Sequence, residues 1–114
     1  MSQQDSWQVV CLCAQWCGAC REWRGIFDQL AQAHPNMRFS WIDIEDDADA
    51  LGEIDIETFP TLLVAHDARP LFYGPVQPSQ AQTARLLASL TADPRGAAPV
   101  AREAADLLAR IAQM

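Results

Sequence analysis

The sequence predicts an α/β fold, a central sheet of about four strands with helices on both faces, and three runs of residues predict it. Residues 7–14 form a short, almost continuously apolar run of strand character, and residues 17–33 carry apolar side chains at helical spacing. Residues 37–44 then alternate as a second strand. Two strands joined through a helix make a β–α–β unit, so the strands should run parallel with a right-handed crossover. At 114 residues and 50% hydrophobic content, the chain is sized for one domain with a real core and needs no disulfide framework to hold it together.

The first strand, being apolar throughout, should be buried on both faces. Cys11 and Cys13, two apart, share one face, and Val10, Leu12 and Ala14 share the other. In the helix that follows, Trp23, Ile26, Phe27, Leu30 and Ala31 form the inward stripe. Gly25 within it should weaken or bend the helix. His34-Pro35-Asn36 stops it, because a residue before proline avoids the helical region. In the second strand Met37, Phe39 and Trp41 line one side.

Residues 45–57 hold seven of the fifteen acids: Glu45, Asp46, Asp47, Asp49, Glu53, Asp55 and Glu57. They lack the spacing of a calcium loop and read as a solvated face, with Asp46 or Asp47 capping a short helix. Residues 62–65 form a third strand, and His66-Asp67-Ala68-Arg69 turns the chain into a fourth, antiparallel strand over residues 70–73. Pro70 suits an edge strand, where a missing N–H is harmless. Residues 78–90 read as a helix with Leu86, Leu87 and Leu90 inward, residues 91–99 as a linker rich in Ala, Pro and Gly, and residues 100–112 as a second amphipathic helix. The expected organisation is a domain over residues 1–90, a linker over 91–99, and a terminal segment over 100–114. That segment should pack on the domain or on a neighbouring subunit, through Val100, Ala104, Leu107, Leu108 and Ile111.

Chemistry concentrates in Cys17-Gly18-Ala19-Cys20, a Cys-x-x-Cys that opens a helix directly after a strand. Unpaired amides and the helix dipole at that end favour a thiolate over a thiol. Cys17, outermost, is the candidate nucleophile; Cys20, one turn on, is the candidate resolving thiol. The competing readings are a structural disulfide, or a metal site built from Cys11, Cys13, Cys17 and Cys20. A rigid strand holding two of the four in line opposes wrapping them round one tetrahedral ion, so no metal and no cofactor is expected. Cys11 and Cys13 read most simply as small buried apolar residues; the sharper alternative is that Cys13 exchanges with the motif on oxidation.

The formal charge of −7 disfavours nucleic acid and anionic membrane surfaces as partners. Residues 1–6 are polar and the apolar run after them is too short for a signal segment or membrane span, so a cytoplasmic protein is expected. In a reducing compartment four cysteines are catalytic or ligating more often than structural. The basic residues are all arginine, and neither His34 nor His66, each at an element end, is assigned a role.

The succession Ala14-Gln15-Trp16-Cys17-Gly18-Ala19-Cys20, then Thr58-Phe59-Pro60-Thr61-Leu62-Leu63, then Tyr73-Gly74, resembles the thioredoxin family, from about residue 7 to residue 90. The resemblance implies a thioredoxin-like fold and a thiol–disulfide oxidoreductase acting through Cys17 and Cys20. It implies that Pro60 is the family's cis-proline, that Phe59 offers main-chain groups to a substrate segment, and that Trp16, Phe59 and Gly74 form a groove over Cys17. The implied partners are protein or small-molecule disulfides and a recycling reductase or small thiol.

Three departures from the family pattern stand out. The family's usual first strand and first helix have no counterpart, which leaves residues 37–44 as an exposed sheet edge. The terminal helix is the candidate to cover the vacated surface, or to do so across a homodimer. The positions where the family keeps a buried Asp and a buried Lys hold Cys11 and Trp41 here, so neither charge is buried alone. The dipeptide Gly18-Ala19 lacks the His of strong oxidants, which favours a reducing couple. The alternative function is a thioredoxin-like binding or chaperone module, whose partner surface rather than redox turnover does the work.

Overall fold

A computed structural model of the chain describes residues 7–14, 18–46, 60–67, 69–77, 79–94, 100 and 102–112. Among these, the elements in chain order are β1 (Trp7–Cys13), α1 (Gly18–Ala33), β2 (Met37–Asp43), β3 (Thr61–His66), β4 (Arg69–Pro75), α2 (Gln80–Ala92) and α3 (Arg102–Ala112). The strands form one sheet in the order β2-β1-β3-β4. The strands β1 and β2 run parallel from Trp7↔Met37 to Cys13↔Asp43, as the crossover through α1 requires. Antiparallel pairing joins β1 to β3 and β3 to β4, the last with an irregularity between Val64 and Ala65 where Pro70 enters the ladder. Among the described residues β2 and β4 lie at the edges of the sheet, with β2 at the edge position expected for residues 37–44.

The period of two along β1 divides the interior. Val9, Cys11 and Cys13 face α1 and α2, packing with Trp23, Phe27, Leu30, Leu87 and Leu90. Val10 and Leu12 face the other way and, with Leu63 and Ala65 of β3, pack against Ala104, Leu107 and Leu108 of α3. The apolar stripe of α3 thus lies on the sheet face opposite α1 and α2, within the same chain. Among the described residues no helix is long and apolar enough to cross a membrane.

Where the structure differs from these expectations the causes are local. Through Gly25 the helix α1 continues unbroken: the glycine is exposed, a Cβ there would meet nothing within 4 Å, and the buried stripe of Trp23, Phe27 and Leu30 holds the turns on either side. The close of α1 comes where the His34 Nδ1–H donates to the Leu30 carbonyl at 2.9 Å. Helix α2 starts at Gln80 because the Ser79 hydroxyl accepts from the Gln82 N–H at 3.2 Å, and it extends to Ala92, into the segment read as linker. Thr83 is buried on its inner face and Leu86 is only half-buried. After β2, the Asp43 carboxylate accepts from the N–H groups of Glu45 and Asp46 at 2.9 and 3.2 Å. Asp43 thus closes the turn that follows β2; the short helix expected after Asp46 or Asp47, with Asp47, Asp49, Glu53, Asp55 and Glu57, lies outside the described residues. Asp67, with φ of 52°, takes the left-handed turn position between β3 and β4 that Asp tolerates better than most residues.

Candidate active site

Strand β1 delivers Cys13 to its C-terminal end, and α1 begins five residues later at Gly18 with Cys20 in its first turn. The two sulfurs are bonded to one another as a disulfide, with the Cα atoms 5.9 Å apart. Both residues are buried, at 0% and 2% exposure. Cys11, two residues back on the same face, holds its sulfur 3.5 Å from that of Cys13. Since Cys13 carries no proton in the disulfide, Cys11 is the donor of this contact. On its other side Cys11 accepts from the Trp23 indole N–H at 2.9 Å. Burial pushes the Cys11 thiol up to about 12, against smaller opposing effects of the Trp23 hydrogen bond and the Arg24 charge. Cys11 is therefore a neutral thiol at physiological pH, a hydrogen-bonding neighbour of the disulfide and not a nucleophile.

The first turn of α1 contains no acid, and Arg21 and Arg24 follow within it and the next turn. The free amides and dipole of the helix end favour thiolates there, while the side-chain charges are mixed: Arg21 and Arg24 share the surroundings with Asp43 and Asp46, and Arg24 pairs with Asp28 at 3.7 Å. The Arg24 guanidinium lies 4.6 Å from the centre of the Trp41 ring. Trp41 is the register partner of Cys11 across β1 and β2, so the two substitutions singled out in the sequence sit side by side as a neutral pair. A cavity of about 530 Å³ opens here, lined by Ala14, Cys20, Arg21, Arg24, Trp41 and Asp43 among others.

Of the residues read as the site, Cys20, Gly18 and Ala19 lie in the first turn of α1, with Gly18 exposed. Pro60 is buried at the start of β3, and its carbonyl accepts from the Val76 N–H at 3.0 Å, tying that strand's entrance to the end of β4. Gly74 is half-buried in β4 opposite Leu62. Trp16, Cys17 and Phe59 lie outside the described residues. Cys13, for which the sequence offers both a plain core role and exchange with the motif, is the cysteine bonded to Cys20. The available signal was its place on the Cys11 face four residues ahead of the motif. Among the described residues no three His, Cys, Asp or Glu side chains are grouped to hold a metal ion.

The thioredoxin-3 of Saccharomyces cerevisiae mitochondria is 28% identical over 67 residues, which cover 59% of this chain and 53% of that protein. Human thioredoxin is 32% identical over 57 residues, covering 50% of this chain and 54% of that protein. The chain spans about half the length of the curated relatives it matches. The fold is that of the solved thioredoxin of Fasciola hepatica, with a TM-score of 0.66 at 21% identity over 74% of this chain and 80% of that one. The family model for thioredoxin matches residues 1–91, and on that match the chain belongs to the thioredoxin family.

Proposed function

We propose that the chain is a thiol–disulfide oxidoreductase, a reductase of protein disulfides working through Cys17 and Cys20. The observation that supports this most is the placing of Cys20, buried in the first turn of α1 directly after β1, at a helix end whose amides and dipole favour thiolates. Reduced Cys17 attacks a substrate disulfide as thiolate and releases the first substrate thiol; Cys20 then attacks the Cys17 sulfur and releases the second. With Cys11 where the family keeps an Asp, no buried carboxylate serves as base at that position, and the proton of Cys20 passes to the departing substrate thiolate or to water. A separate reductase or a small thiol returns the pair to the dithiol state, in a reducing compartment such as the cytoplasm. Pro60 and Gly74, with Trp16 and Phe59, are the residues proposed to bind the substrate segment.

The test is reduction of a protein disulfide such as insulin with dithiothreitol as the electron source. Cys17→Ser should abolish turnover, and Cys20→Ser should accumulate mixed disulfides through Cys17. If Cys17→Ser leaves turnover intact the reading is wrong. If the unaltered protein is inactive while still capturing partners, the binding-module reading takes its place.

A further inference from the structure

The Cys13–Cys20 bond has no role in a cycle run by Cys17 and Cys20 alone. Resting on the reading above, we propose that Cys13 is a third redox cysteine: it takes Cys20 over from the Cys17–Cys20 bridge, moves the disulfide into the core, and returns Cys17 as a free thiol.

Four features of the site support the transfer. The Cα separation of 5.9 Å lies within the ordinary span of a disulfide, so the backbone at the junction of β1 and α1 accommodates the bridge. Cys13 is completely buried and Cys20 nearly so, which puts Cys13 out of reach of any substrate disulfide and leaves an internal sulfur as its exchange partner. The Cys11 thiol, 3.5 Å away, is placed to donate to a Cys13 thiolate. The Trp23 N–H donates to the Cys11 sulfur at 2.9 Å, which holds Cys11 in place and leaves its own proton for Cys13.

The step is an isomerisation. Cys13 attacks the Cys20 sulfur as its proton leaves, the Cys13–Cys20 bond forms, the Cys17–Cys20 bond breaks, and the departing Cys17 sulfur takes up the proton that Cys13 gives up. No electrons are gained or lost. Counted from the reduced protein, one substrate disulfide becomes two thiols while two of the three protein thiols become the buried bridge. The oxidised protein then still carries a nucleophile. Cys17 can attack a second disulfide, releasing one thiolate, and the resulting adduct persists because its resolving partner is committed to Cys13. Such an adduct is discharged by an external small thiol, which adds monothiol chemistry with glutathione-like disulfides to the proposed dithiol cycle.

The experiment treats fully reduced protein with oxidised glutathione, quenches with acid at successive times, alkylates free thiols and maps the bonds by mass spectrometry. Every cysteine precedes the first basic residue, so trypsin leaves all four in one peptide; chymotrypsin, cutting after Leu12 and Trp16, separates Cys11, Cys13 and the Cys17/Cys20 pair. Expected is an early Cys17–Cys20 bridge giving way to Cys13–Cys20 with Cys17 alkylated or glutathionylated. In Cys17→Ser the Cys13–Cys20 bridge should form at least about ten-fold more slowly, because its route through the Cys17 sulfur is gone. In Cys13→Ser, modification of Cys17 in the oxidised protein should fall about ten-fold. A unique Cys17–Cys20 bridge at all times overturns the transfer, as does a Cys13–Cys20 bridge that forms equally fast in Cys17→Ser. Insulin reduction by the same preparation then decides separately whether the reductase reading survives.

Discussion

Cys11 carries a proton that its surroundings hold in place, and the consequence is measurable. Its thiol is raised from 9.0 to about 12, chiefly by burial. Below pH 9 the folded and unfolded chains both keep the proton, and its contribution to stability is fully present. Between pH 9 and 12 the unfolded chain releases it while the folded chain does not, so stability falls with rising pH, by at most about 1.4 kcal/mol per unit. Urea unfolding of the oxidised protein from pH 8 upward should show this slope, and Cys11→Ala should reduce it to what Tyr73 leaves; identical slopes would mean that the thiol is not held protonated. The residues of the site were unequally legible. Cys20 was, because Cys-x-x-Cys between a strand and a helix is a local pattern. Its bond to Cys13 was not, because the approach of two residues seven apart depends on how the chain leaves β1 and enters α1, which no periodicity records.

The helices and strands were largely visible in the sequence, since burial on one face imposes a period of 2 or 3.6 on the apolar residues whatever else they do. Their ends were not, because single side chains such as Ser79 and Asp43 set them through hydrogen bonds to backbone amides. Gly25 marks the limit of propensity as a guide: an exposed glycine in α1 costs stability without interrupting the helix, since tertiary packing of its neighbours outweighs it. Gly25→Ala, with open space for its methyl group, should raise stability by about 0.5–1 kcal/mol in thermal or urea unfolding. The docking of α3 has its own reporter in Tyr73, the single tyrosine of the chain. Its phenol is raised above 10.0 by burial first and by the charge of Glu103 on α3 second. Spectrophotometric titration should therefore find Tyr73 ionising at lower pH in Glu103→Gln. No change would place Glu103 too far away to act, contrary to α3 lying against β4.

At the scale of the molecule, a net charge of −7 gives the protein a field that steers basic partners toward it and acidic ones away. Reduction of a basic protein disulfide should slow several-fold as ionic strength rises from about 0.01 to 0.15 M, where the screening length shrinks from roughly 30 to 8 Å, and an acidic substrate should show the reverse. Equal salt dependence for both would leave the charge without a part in recognition. The two-faced sheet also sets an order of assembly. Leu12, Leu63 and Ala65 are covered by α3, which follows β4 in the chain. During translation at roughly 5–20 residues per second, the stretch from the end of β4 at Pro75 to the end of α3 at Ala112 takes about 2–7 s to emerge. For that interval a nascent sheet stands with one greasy side bare on the ribosome, which makes the newborn chain a natural client for chaperones that hold unfinished proteins.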